Sequence, residues 1–573
     1  MSDSGKKTAA AVDTTTFVAI VIAIVVLINV ILALPTTPPL RVDLTQDKIY
    51  TLSDASKELV GGLEDEMVVK FFATENLQYP DHNLEQRVRD LLDEYQVHSG
   101  GKFRFEIIHP DDEEELPVEG EAPADEEKKE EDDGEEEAKG FGCQKVTVGQ
   151  RGSNQVSLRL VYKCLAFVYG DQNEVIGELR SNDNLEYEFT KRMKLLVTPE
   201  DARHKVGFVK GFGGPVDQQQ FIQSVSEGFK QIYGDLITAR AVDLKIKQKI
   251  DDDVDALVIL NPSAPFSDGA KFAIDQFIMQ GKGVAWLQTG LAPNPQMPML
   301  PMRQPVITGL EPLFESYGLR LNKDLVLDRK HNIVSVVLSN KGLEQVSNPT
   351  MPVFTDINKE AVFTKDVPML SFPLASTITI MPSALEQEGL QVMELIRTSK
   401  DAVRRPNANA VGFESIMKPE DSEENGPFVV AASLQGSMKS HFAEKGKPSS
   451  EPSSNPADAF APDYKPIEVS KAGSRLILVS SGDFMFPNRQ TGYGGQYANM
   501  GVMFLLGMMD WLVQEEALVK IRSKGIPRVI TEIEPEDYNT YKIANIVGVP
   551  VIFIFVGTFF WFLRRRRTST LKL

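Results

Sequence analysis

Only two cysteines, three tryptophans and six histidines occur in the 573 residues. Cys143 and Cys164 are not spaced as C-x-x-C, so the sequence carries neither a dithiol redox motif nor a thiolate metal site. His82, His98, His109, His204, His331 and His441 are scattered, with no pair at metal-ligand spacing and no H-E-x-x-H. No G-x-x-x-x-G-K-[ST] occurs. In "EKGKPSS" Pro448 stands where a hydroxyl is needed and no strand precedes it, so an ATP-hydrolysing loop is excluded. Basic residues are short as well: 61 Lys and Arg against 81 Asp and Glu leave a net charge of −20. Such a surface repels phosphate backbones, which excludes nucleic acid as a partner.

Two long uncharged apolar runs are present, "FVAIVIAIVVLINVILAL" (17–34) and "IANIVGVPVIFIFVGTFFWFL" (543–563). Each is long enough for a helix across hydrocarbon, which needs about 18–20 residues. Lys6 and Lys7 precede the first, and Arg564 to Arg567 follow the second. Basic flanks favour the cytoplasm, so both tails, 1–16 and 564–573, are expected there. The region between is then exported, into the periplasm of a bacterium with two membranes. Setting aside the four arginines and Lys572 of the last tail, with the first tail neutral, the exported region carries −25. Residues 111–139 hold 17 acidic residues and three lysines, and read as a disordered solvated loop.

The pattern in between is α/β. A membrane-proximal lead-in segment, 35–65, contains Ser53 as an N-cap ahead of Leu59 and Leu63, with Gly61-Gly62 as the stop. Residues 66–203 read as a small α/β domain in thioredoxin-like order, with a strand at Met67–Ala73, an amphipathic helix, a second strand, the acidic loop, a hairpin and a closing helix. Cys143 and Cys164 flank that hairpin. An oxidising compartment permits a disulfide between them, but the register that would decide it is not readable. Residues 204–530 alternate near-continuous apolar strands (Ala256–Leu260, Gly283–Leu287, Arg475–Ser480) with helices, which implies a parallel sheet covered on both faces. A polar low-complexity insertion at 436–466 interrupts this domain, and a linker, 531–542, leads to the second run.

Parallel sheets place ligands at the carboxyl ends of their strands. "GFGG" after the 206–209 strand is not G-x-G-x-x-G, and a tight turn accounts for it. Gln288 follows one strand and cannot attack a carbonyl. Asp483 follows another and reads as a loop cap rather than a general base. These two residues are expected at neighbouring strand ends, as a candidate ligand or partner surface that binds without reacting. No catalytic, metal-ligating or cofactor-binding residue emerges.

"DLTQDKIYTLSDASKELVGGLEDEMVVKFFATENL", "RVRDLLDEYQVHSGGKFRFEIIHPD", "SNDNLEYEFTKRMKLL", "SSGDFMF" and "GMMDWL" occur in this order over nearly the whole chain, and together the sequence resembles the GldG family. Its members are auxiliary proteins of ABC transporters, first associated with gliding motility. The resemblance implies a non-catalytic, membrane-anchored periplasmic accessory subunit of the inner membrane. Separate permease and ATPase subunits would be its partners, with no cofactor. The larger domain resembles the class I amidotransferase-like fold, also found in an intraflagellar transport component; Gln288 stands near the place of the catalytic cysteine of true amidotransferases. The other reading is a structural scaffold of a cell-envelope or motility machine without transport. The transported substrate and the oligomeric state are not legible.

Overall fold

The structure, a computed structural model, describes residues 51–521 apart from 78–80, 111–113, 116–132, 152–155, 181–183, 294–302, 340–341, 366, 407–412, 450–458, 462, 488–493 and 515–520. The apolar runs 17–34 and 543–563 lie outside the described residues, and no helix among those described is long and apolar enough to cross a membrane.

The chain becomes regular at α1 (Asp54–Gly61), which starts on the side chain of Ser53 and stops at Gly62. It continues through β1 (Met67–Ala73), α2 (Leu84–His98), β2 (Phe103–Ile108), α3 (Asp133–Gly140), β3 (Lys163–Tyr169), β4 (Gln172–Ile176) and α4 (Leu185–Val197). The strands form one sheet in the order β2–β1–β3–β4, with β1 parallel to β2 and antiparallel to β3. Alternation along β1 builds two cores. Met67, Val69 and Phe71 pack with Val88, Leu92 and Tyr95 of α2 and Phe189 and Met193 of α4. Phe72, on the reverse face, packs with Ala138, Cys143 and Cys164.

That reverse face corrects the reading of 111–139 as a disordered loop. Its residues 133–139 belong to the helix α3, with Ala138 fully buried and Glu137 paired to Lys70 of β1. Acidic composition hid this because a single alanine supplies the contact. Cys143 and Cys164 are joined by a disulfide, Cα atoms 5.8 Å apart, which fixes the end of α3 beneath β3. Opening this loop of 21 residues' separation by Cys143→Ala should lower stability by about 3 kcal/mol, read from urea unfolding under non-reducing conditions. An unchanged midpoint would show that the buried contacts of α3 suffice without the bond.

The second sheet uses β5 (His204–Lys210), α5 (Gln219–Tyr233), β6 (Ile237–Asp243), β7 (Ala256–Leu260), α6 (Asp268–Met279), β8 (Gly283–Leu287), α7 (Glu311–Tyr317), β9 (Leu319–Leu321), β10 (Ile378–Ile380), β11 (Leu390–Arg397), β12 (Val429–Gly436), β13 (Arg475–Val479) and α8 (Gln496–Leu512). Its strands run β9–β10–β12–β13–β8–β7–β5–β6, with β11 also on β12. From β13 to β6 every pairing is parallel, and all residues of β7, β8 and β13 are buried. Residues of α5 and α8 (Phe229, Tyr233, Phe504, Met508) cover one face, and those of α6 and α7 (Phe272, Phe277, Phe314) the other. The expectation of a parallel sheet holds for this half alone, because β12 enters antiparallel to β13 and the sheet continues antiparallel. An apolar run such as "VVAASL" does not encode strand direction. The long connection before β12 sets it.

The insertion at 436–466 is also not a free polar loop. Met438 and Phe442 are buried, and Phe460 and Tyr464 stack edge-on against Phe272 of α6. Its anchor is Asp275 of α6, fully buried, which accepts from Ser440 Oγ (2.8 Å), His441 N (2.8 Å) and Tyr317 Oη (2.6 Å).

Helix α4 belongs to both sheets. Leu185, Phe189, Met193 and Leu196 face the first core, whereas Tyr187 and Leu195 face the second.

Candidate functional site

The parallel half brings three loops together at its carboxyl edge. Asn261 follows β7 with φ 41°, in the left-handed region where asparagine is tolerated. Gln288-Thr289-Gly290 follows β8, and Ser480 to Asp483 follows β13. Backbone bonds continue the ladder into these turns, with Asn261 N donating to Leu287 O (2.8 Å) and Gln288 N to Val479 O (3.0 Å). Asp483 ties the loops. Its Oδ1 accepts from Asn261 Nδ2 at 2.9 Å and its Oδ2 from Thr289 Oγ1 at 3.1 Å. Thr289 N donates to Asn261 Oδ1 at 2.9 Å, and Gly482 N to Thr289 Oγ1 at 3.3 Å.

Gln288 and Asp483 thus sit on adjacent strands, yet they are not equally available. Gln288 is 2% exposed. Its Nε2 donates to Thr289 O (2.8 Å), and its Oε1 has no partner among the described residues. The Gln288 side chain is therefore enclosed at the end of β8 and does not lie open on the surface. Asp483 is half-buried and reachable. The loops are also packed tightly. A Cβ on Gly482 would lie 2.5 Å from the Asn261 side chain, and one on Gly290 2.2 Å from Ser376 Oγ.

Burial pushes the Asp483 carboxyl above its ordinary value, against the pull of the Thr289 bond, the Arg303 charge and the Asn261 bond. Arg303 is itself lowered by burial, with Asp483 acting the other way. A carboxyl raised in the folded state contributes stability in its protonated form. That contribution is present below the unfolded value, about 3.9, and is lost as pH rises through the folded one. Asp483→Asn removes the titration, so its stability relative to the unaltered chain should grow as pH is raised above about 4, measured by urea unfolding at stepped pH. A difference that stays constant or shrinks would contradict the assignment.

An amide and a hydroxyl satisfy the carboxylate, and no histidine bonds to these groups among the described residues. The nearby "GFGG" turn is filled from within. The Asp217 carboxylate accepts from Gly211 N at 2.5 Å and Gly213 N at 2.6 Å, taking amides that a phosphate would need. Among the described residues no group of three or more His, Cys, Asp or Glu could hold a metal ion. The Asn261 bridge was missed in the sequence, where "LNPSAP" reads only as a turn.

Residues 203–505 match the family described as an ABC-type uncharacterized transport system, and residues 46–168 match a domain of unknown function. The stretch between the two matches contains α4. An uncharacterized protein of Borreliella burgdorferi is 21% identical over 549 residues, spanning 92% of this chain and 94% of its own length. Among solved structures, the mmIFT52 N-terminal domain aligns with a TM-score of 0.31 and 10% identity, over 54% of this chain and 96% of that domain. A ThuA-like protein from Bacteroides uniformis aligns with a TM-score of 0.28 and 12% identity, over 55% of this chain and 92% of its own.

Proposed function

Since the chain belongs to the ABC-type uncharacterized transport system family, we propose that it is a non-catalytic accessory subunit of an ABC transporter, anchored in the inner membrane by residues 17–34 and 543–563. The family match over 203–505 carries the reading. In it, separate permease and ATPase subunits perform transport, and the region between the two anchors stands in the periplasm as their partner. The first sheet is thioredoxin-like without a redox dithiol, and the second amidotransferase-like without a nucleophile at Gln288. Asp483, with Asn261 and Thr289, would serve the carboxyl edge as a binding rather than a reacting group. Asp483 is the half-buried carboxyl of this cluster, which supports that reading.

Affinity purification of the full-length chain from its native membrane tests the proposal. A stoichiometric ATPase and permease are expected, with no ATP hydrolysis by this chain alone. An assembly of envelope proteins free of any ATPase would overturn it in favour of a structural scaffold. A periplasm-dependent reporter fused at Leu573 should be inactive, and activity there would overturn the two-anchor topology.

A further inference from the structure

Two parts of the chain that are remote in sequence meet on the first turn of α4. Ser53 caps α1, its Oγ accepting from Ser56 N at 3.2 Å. In a capping box a Glu or Gln three positions after the cap returns a bond to the cap's own N–H. Here that position is Ser56, and the carboxylate is supplied by Glu186, 133 residues beyond the cap. Glu186 Oε1 accepts from Ser53 N at 2.7 Å and from Ser56 Oγ at 2.8 Å. Thr190 Oγ1, one turn further along α4, lies 2.8 Å from Ser56 Oγ and 2.6 Å from Tyr95 Oη. Ser56, Tyr95, Glu186 and Thr190 are all buried, so these bonds form away from competing water. Burial raises the Tyr95 phenol far above its ordinary range, and the charge of Glu186 adds to it.

The other end of the described chain arrives at the same turn. Asn184 caps α4, its Oδ1 accepting from Tyr187 N at 3.2 Å, while its Nδ2 donates to Ile521 O at 3.2 Å. Ile521 is fully buried in the core of the second sheet. One helical turn therefore holds Ser53 and Ser56, ahead of the two sheets, and Ile521, after them.

We infer that the first turn of α4 is a clasp that couples these two segments, so that displacement of one loosens the other before either sheet yields. Its mechanical use rests on the proposed anchoring of both segments in a membrane: a body tied at one turn would pass motion between its two anchors without passing it through the sheets. The coupling itself is a property of the folded chain and is reciprocal.

Peptide-resolved hydrogen exchange on the full-length chain in detergent tests it. Ser56→Ala should speed exchange in 53–61 by about tenfold, the scale of one lost charge-assisted bond, and should also speed exchange at Ile521 several-fold. Asn184→Ala should produce the reverse pattern, with β7 and β8 unchanged in both. Glu186→Gln keeps the packing and weakens both bonds to α1, so it gives the same pattern at smaller amplitude if Ser56→Ala does not fold. Loosening confined to the altered segment would overturn the clasp, and so would exchange rising equally in β7 and β8. A chain that purifies without a transporter but keeps the reciprocal pattern would refute the proposed function and leave the clasp standing.

Discussion

Arg405→Ala should destabilise the protein by about 3–5 kcal/mol, because it strands buried charge. Arg405 is 1% exposed. Its guanidinium donates to Glu423 Oε1 (2.7 Å), Lys418 O (3.0 Å) and Ser415 O (3.2 Å), and pairs with Glu420 at 2.8 Å. Glu423 is half-buried, its side chain 6% exposed, and it also takes a bidentate bond from Arg329, at 2.7 and 2.9 Å. Burial works to raise the Glu423 carboxyl, and the two guanidiniums outweigh it, holding the carboxyl below the ordinary range. Without Arg405 the carbonyls of 415 and 418 lose its guanidinium, although Arg329 Nη2 still donates to Lys418 O at 3.1 Å, and Arg329 is left as the guanidinium on Glu423. Arg405→Lys should recover little, since an ammonium cannot serve these directions together. Urea unfolding of both variants checks this, and a loss below about 1 kcal/mol for alanine would mean that water replaces the side chain.

Trp286→Ala should cost a similar amount, about 3–5 kcal/mol, by a different route. Trp286 is the fourth of the 5 residues of β8, is fully buried, and places its ring 4.5 Å from that of Phe314 on α7. Truncation leaves a cavity between a central strand and a covering helix, where β7 and β13 hold the backbone on both sides and limit collapse. Trp286→Phe should lose far less. Equal losses for the two substitutions, in thermal or urea unfolding, would contradict a cavity origin.

The two sites differ in how openly the sequence announces them. β7 and β8 are continuous apolar runs between turns, and their spans, Ala256–Leu260 and Gly283–Leu287, are read directly from the sequence. Arg405 is not legible. "DAVRRPNANAV" has no apolar period, and the partners of Arg405 lie 10–18 residues further on. At the candidate site the neighbouring strand ends of Gln288 and Asp483 follow from pattern, but the bonds through Asn261 and Thr289 depend on the turn conformations, which pattern does not reveal. Composition misleads at α3 and at 436–466, where a few apolar or small residues (Ala138, Met438, Phe442) dock segments that are otherwise polar.

The sharing of α4 between both cores bears on inheritance. Gene fusion and shuffling act on units that keep their own interior when separated. A cut just before His204 would strip Tyr187 and Leu195 from the second interior, and a cut before Leu185 would remove Phe189 and Met193 from the first. No breakpoint near this helix leaves two intact interiors. The two halves are therefore expected to descend as one indivisible unit, and homologues carrying only one of them should possess a substitute for this helix.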